Sequence, residues 1–279
     1  MNALFATTPH ISIGPEVLFH LGPLPITNSQ VLGLAGTIVL LVMLFGVVVA
    51  VKRGKRGRFV HAVMWLFESL YDTTVEVIGD RKIAKKVLPL AVTLMLFFLI
   101  NNWLGLLPIV GSITYSHGAE HAPLFRGVAA DMNTTFALAI ISMGTAQLWA
   151  MKRHGFFGNL HRYFSNPFKD PLHAVVGILE FIAEFTRTIA LGLRIFGNVF
   201  GGEVLLSVIA FLTGYAAPLA LPVFYCLELF VGAVQAYVFF MLTIAFISLG
   251  LPNADEDAHE APRSAKAKAL PPRAAKEQA

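Results

Sequence analysis

Residues 172–213 read LHAVVGILEFIAEFTRTIALGLRIFGNVFGGEVLLSVIAFLT, an apolar run interrupted by Glu180, Glu184, Arg187, Arg194 and Glu203. As one helix it would be about 63 Å long at about 1.5 Å per residue, twice a hydrocarbon core of about 30 Å. Either the helix is steeply tilted in a membrane, or its ends leave the bilayer, or it is broken. The charges favour tilt against a protein partner, because each costs about 2.5–3.5 kcal/mol near the bilayer centre even on a lenient insertion scale. The next run, Ala216 to Gly250, carries Glu228 as its only charge. The two runs predict a hairpin turning in the uncharged Gly214–Pro222 segment.

Spacing sorts the polar groups by face. Glu180, Arg187 and Arg194 are seven apart, and Glu184 lies between the first two, so all four share a helical stripe that Asn198 extends. Glu203, nine residues past Arg194, falls about 180° away at 3.6 residues per turn. A path serving Glu203 therefore approaches from another side, unless Gly197, Gly201 and Gly202 bend the helix. Glu228 and Gln235 share a stripe on the last helix, expected to face the preceding one. Bland alternatives exist for most of these groups. Glu180, Glu184 and Arg187 fit snorkelling at the headgroups, and Asn198 and Gln235 fit interhelical hydrogen bonding. Arg194, deep in the run and followed by Ile195, Phe196, Val199 and Phe200, resists a purely structural reading.

Working outward, Val31–Val51, Val87–Ser116 and Met132–Met151 hold no charged residue and are long enough to span. The composition agrees: 56% of residues are hydrophobic and 14% charged, against about 25% charged in soluble domains. The net charge of +4 does not imply nucleic acid, because the bases sit in clusters between spans. Lys52, Arg53, Lys55, Arg56 and Arg58 follow the first span; Arg81, Lys82, Lys85 and Lys86 precede the second. Lys152, Arg153, Arg162 and Lys169 follow the third, and Arg263, Lys266, Lys268, Arg273 and Lys276 lie in the tail. Residues 1–51 contain no Lys or Arg, and Tyr115–Asp131 contains only Arg126. The positive-inside rule then gives five crossings, with the N-terminus outside and the C-terminus cytoplasmic.

Between the first two clusters, Glu68, Asp72, Glu76 and Asp80 recur every fourth residue opposite Val63, Leu66, Phe67, Leu70, Thr74 and Val77. That is the pattern of an amphipathic helix along the cytoplasmic interface. The fold expected is all-α: a polytopic membrane protein with five membrane-crossing helices, including a long tilted hairpin, plus one amphipathic interfacial helix. Residues 1–30 form an external segment without the basic n-region of an ordinary signal peptide, 31–251 the membrane domain, and 252–279 a flexible cytoplasmic tail too poor in large apolar residues to build a core. A single cysteine, Cys226, excludes an intrachain disulfide and reads as inert core. His117, Glu120 and His121, like His154 and His161, lack a zinc spacing signature, and neither a metal nor a cofactor is expected.

The run Leu191-Gly-Leu-Arg-Ile-Phe-Gly-Asn198, continuing through Gly201-Gly-Glu203, resembles the signature of subunit a of the F-type rotary ATP synthase. The resemblance extends to Leu104–Pro108, Ala130–Thr134 and Gln235–Phe239 and covers most of Val31 to Gly250. It implies a bacterial inner-membrane stator subunit that translocates protons, with c-ring subunits, peripheral-stalk b subunits, other ATP synthase subunits and membrane lipid as partners. Arg194 would be the arginine facing the c-ring carboxylates, with Gln235 beside it. Asn198, Glu203 and Glu228 would line the half-channel open to the outer side, and Glu180 would be the acid of the cytoplasmic half-channel. Glu228 stands where some members carry histidine, and the tail after Pro252 exceeds the family's usual length. The implied role is not catalytic, and no GxxxxGK[ST], HExxH or GxSxG element occurs in the chain. A self-contained channel or secondary transporter would be the alternative, but it should show an internal repeat, and none is evident.

Overall fold

A computed structural model of the chain describes residues 14–21, 24–54, 57–107, 110, 114–117, 120–123, 125–155, 163 and 171–251. The segment 252–279, read above as a tail, lies outside the described residues, as do His161, Arg162 and Lys169.

Among the described residues six α-helices carry the fold. The first, α1 (Asn28–Lys52), begins three residues before the apolar run because Thr27 and Gln30 form a reciprocal capping box. α2 (Arg58–Ile78) is the amphipathic helix, ended by Gly79 at φ 77°, a left-handed conformation that glycine adopts without a Cβ penalty. α3 (Arg81–Gly105), α4 (Met132–His154), α5 (Pro171–Thr213) and α6 (Ala217–Leu249) complete the set. α1, α3, most of α4 and the stretch Val175–Leu249 are long and apolar enough to cross a membrane. That last stretch contains both α5 and α6, joined at Gly214–Ala216 with Gly214 at φ 48°. The chain is thus a polytopic all-α membrane protein, and α5 is one unbroken helix despite its glycines.

Two details depart from the sequence reading. Asp80 does not extend the acidic stripe of α2; it caps α3, accepting a hydrogen bond from Lys82 N at 2.7 Å. Two short antiparallel hairpins also appear, Val17–Leu21 (β1) with Leu24–Thr27 (β2), and Thr114–His117 (β3) with Glu120–Pro123 (β4). Their two-residue, glycine-containing connections, Gly22-Pro23 and Gly118-Ala119, are hairpin signals hidden between much stronger apolar runs.

α3 is the central helix, packed on α1, α2 and α6. Its small residues Ala84 and Ala91 are fully buried, which lets neighbours approach closely, the usual packing device between helices in lipid. Phe98 meets Phe239 of α6 with ring centroids 6.5 Å apart, and α4 reaches α6 through a buried Ser142–Thr243 hydroxyl pair at 2.8 Å. α1 contributes only a narrow face, in which Asn101 of α3 occupies the space a Cβ at Gly36 would need. Its other side, including Leu34, Leu41, Val42 and Phe45, is bare, as expected of a lipid-facing surface. α2 buries Val60, Leu70 and Thr74 and leaves Glu68, Asp72 and Glu76 exposed.

The helix ends sort into two sets. The last turns of α6 and α2 meet where Ser248 Oγ donates to Val77 O at 2.9 Å, at the end that carries the basic clusters. At the opposite end Asp131 caps α4, accepting from Asn133 N at 3.0 Å, and also accepts from Ser29 Oγ at 3.1 Å, tying α4 to α1.

Candidate functional site

The α5–α6 hairpin places its polar groups at three levels. Towards the hairpin turn, Glu203 and Ser207 of α5 and Tyr225 and Glu228 of α6 line a cavity of about 220 Å³. Asn102 and the segment Phe125–Gly127 close it from the other side. Glu228 seats against α5 because of Gly202: its carboxyl occupies the space a Cβ there would fill. Glu228 is only 7% exposed, and its own side chain makes no hydrogen bond among the described residues. Arg126, also buried, donates through Nη1 to Gly14 O and contributes the cavity's one positive charge among the described residues.

At the middle level Asn198 Nδ2 donates to Gln235 Oε1 at 2.8 Å. Gln235 is 4% exposed, and its Nε2 has no partner among the described residues. Arg194, one turn before Asn198, is exposed, although Leu191 and Ile195 beside it are buried. Among the described residues it has no hydrogen-bond or ion-pair partner. The surface around it is open: nothing lies within 4 Å of where a Cβ would stand at Gly197 or Gly201. A bare guanidinium in the middle of an apolar helix is costly in lipid, so this face is built to meet something charged or wet.

Towards the basic end, Glu180, Glu184 and Arg187 line a second, smaller cavity of about 20 Å³ with Gln147 of α4, Tyr163, and Phe246, Leu249 and Gly250 of α6. Arg187 lies over the Phe246 ring at 5.9 Å. Tyr163 Oη donates to Glu184 and accepts from Gln147 Nε2 at 3.1 Å. Among the described residues the two cavities share no lining residue.

Helical spacing anticipated part of this. Glu203 does open on the side of α5 away from Arg194, and Gln235 and Glu228 do face α5. Glu180, Glu184 and Arg187 line a cavity; snorkelling alone does not describe them. The stripe shared by the five polar groups of α5 nevertheless divides, with Arg194 and Asn198 outside both cavities. Cys226, expected in the core, is exposed, because α6 turns its Glu228–Gln235–Thr243 face inward and leaves the face carrying Val223, Leu227 and Phe230 bare. Three contributors went unforeseen: Arg126, Gly202 and Tyr163. For Arg126 a signal existed, since it is the only base between Tyr115 and Asp131. The side chains of His117, Glu120 and His121 lie outside the described residues.

Residues 32–248 match the family model described as ATP synthase A chain. The chain belongs to that family. It is similar to the ATP synthase subunit a of Mycobacterium ulcerans, with 35% identity over 188 residues, 66% of this chain and 70% of the relative. It is similar also to the subunit a of Gloeobacter violaceus, with 30% identity over 250 residues, 88% of this chain and 93% of the relative. For the subunit a of Bacillus pumilus the identity is 29% over 238 residues, 80% and 91% of the two chains. The matched span contains every residue that lines the larger cavity and all of those lining the smaller one except Leu249 and Gly250.

Proposed function

We propose that this chain is the proton-translocating stator subunit of a bacterial F-type ATP synthase, working against a ring of c subunits on the open face of α5. The basic clusters put Lys52, Arg81 and Lys152 on the cytoplasmic side, so the larger cavity opens outward and the smaller inward. The observation that carries the reading is Arg194, exposed and, among the described residues, unpartnered, at a level between two cavities that have no described lining residue in common.

The chemistry follows from charge. A guanidinium cannot lose its proton in a protein, so Arg194 attracts a ring carboxylate that has lost its own and blocks passage of a proton through its position. Protons must then travel on the ring. One enters the outer cavity, whose volume admits several waters, and passes by Glu228 and Glu203 to a ring carboxylate. Neutralised, that carboxyl can turn through lipid, and it releases its proton to the cytoplasmic cavity through Glu180 nearly a full rotation later. Each elementary charge that crosses releases about 2.3 kcal/mol per 100 mV, which supplies torque. Asn198 and Gln235, bonded to each other, hold the two helices at fixed spacing beside Arg194.

The deciding measurement is proton conductance of membrane vesicles, normalised to assembled complex, in the wild type, Arg194→Ala and Arg194→Lys. Alanine should abolish proton-driven ATP synthesis and open a passive leak. Lysine should not restore full coupling, because an ammonium lacks the planar fork and can lose its proton when desolvated. Normal synthesis in the alanine variant, or reduced assembly without leak, would remove Arg194 from the coupling role.

A further inference from the structure

The hydrogen bonds at the smaller cavity run in one direction. Gln147 Nε2 donates to Tyr163 Oη, and Tyr163 Oη donates to Glu184 Oε2. A phenol has a single hydrogen to give, and with the amide on its oxygen that hydrogen is committed to Glu184. The tyrosine is itself fixed: it is buried, and its ring meets Phe181 edge-on with centroids 6.0 Å apart. Glu184 is therefore held as an acceptor at one place in the cavity, which a carboxylate trailing in the headgroups would not be.

From its own helix Glu184 meets Glu180 and Arg187; among the described residues α4 and α6 contribute no charged group to the lining. Arg187 is turned onto the Phe246 ring and forms no ion pair with Glu184 among the described residues. Glu184 is thus a carboxylate on the cavity wall, oriented by a hydrogen bond and, among the described residues, in no ion pair.

We propose that Glu184, positioned by Tyr163, is a second proton acceptor of this cavity beside Glu180. The inference rests on the reading that protons leave the ring at this end. A proton arriving from a hydronium ion or from the Glu180 carboxyl bonds to Glu184 Oε1, giving the neutral acid. It then passes to water at the cytoplasmic face and restores the carboxylate, while Tyr163 keeps its own hydrogen throughout. Tyr163 is a positioning residue; Glu184 is the group that gains and loses the proton.

The test uses the complete ATP synthase in inverted vesicles, where the buffer sets the pH at the cytoplasmic face. ATP-driven proton pumping is measured per assembled complex. Tyr163→Phe deletes only the hydroxyl and keeps the buried ring, and should slow pumping by about tenfold to hundredfold, the scale of a lost hydrogen bond to a charged group. Glu184→Gln should slow it at least as much, and Glu184→Asp should restore part of the rate. Both slow variants should change the dependence of rate on buffer pH and leave the dependence on lumenal pH as in wild type. Wild-type rates and pH profiles per complex, with only the amount of complex reduced, would overturn the inference and leave Tyr163 as a packing residue. Glu203→Gln, measured in parallel, separates the levels of argument. Slowing there without slowing in the Glu184 variants defeats this inference alone, whereas no slowing in any of them defeats the proposed function as well.

Discussion

Replacing Gly202 by alanine probes the contact that seats Glu228 against α5 in the larger cavity. A β-carbon at that position would overlap Oε1, Cδ and Oε2 of Glu228, so something has to move. The backbones are held, because α5 and α6 are locked beside it by the Asn198–Gln235 bond and by buried Ile195 and Phe239. The displaced atoms are the end of a flexible side chain, so the cost is that of pushing Glu228 off its rotamer, about 0.5–1.5 kcal/mol. That is less than the 1–3 kcal/mol typical of an overpacked core, and the complex should assemble normally. If the carboxyl must return to its place to pass a proton, the same cost lowers the rate by about two- to tenfold, at about 1.36 kcal/mol per tenfold. ATP-driven pumping should be measured in the wild type, Gly202→Ala, Glu228→Ala and the double variant. Without the Glu228 carboxyl there is nothing to displace, so Gly202→Ala should add no further loss and the pair should be strongly non-additive. Equal slowing by Gly202→Ala with and without the carboxyl would refute the argument and place the defect in helix packing.

Glu203→Gln and Glu228→Gln should each slow flux less than the double change, because two carboxylates in one cavity partly substitute for each other; independent, multiplicative losses in proton uptake would assign them separate roles. Asn198→Leu strips Gln235 of its remaining bond while leaving it buried, and should cost the solubilised complex about 1–3 kcal/mol, read as a lower unfolding midpoint. Asp131→Ala removes the α4 cap together with the tie to Ser29, and should cost at least the ~1 kcal/mol of a lost cap, seen as faster proteolysis at the outer face. A cysteine at Ser116 should be labelled from outside only and one at Ala265 from inside only; labelling of both from one side would contradict the odd number of crossings.

The membrane-length helices were legible because charge-free runs are a property of sequence order, and each can be read without its neighbours. The faces of α5 were legible for the same reason: a regular helix fixes the angle between Arg194 and Glu203 whatever packs on it. What the sequence withheld was which helix fills each space. That Glu228 reaches α5 depends on the missing side chain of Gly202, and a glycine in an apolar run reads equally well as a bend. Tyr163 was invisible because its partners Gln147 and Glu184 lie on two different helices, so no periodicity links them. The exposure of Cys226 is decided by which face α6 turns towards α3 and α4, and a helix apolar on all sides carries little trace of that choice.

Among the described residues the two cavities have no lining residue in common, and this constrains kinetics as well as coupling. Steps that a proton must take in turn behave as resistances in series, so the slower one sets the current. A variant that throttles the larger cavity should therefore mask a milder defect in the smaller one. Combining Glu228→Gln with Glu184→Gln should give nearly the rate of the slower single variant. The membrane potential itself would divide in proportion: whichever cavity is made more resistive takes the larger share of the voltage drop, and the sensitivity of rotation to applied voltage should shift towards that side of the membrane.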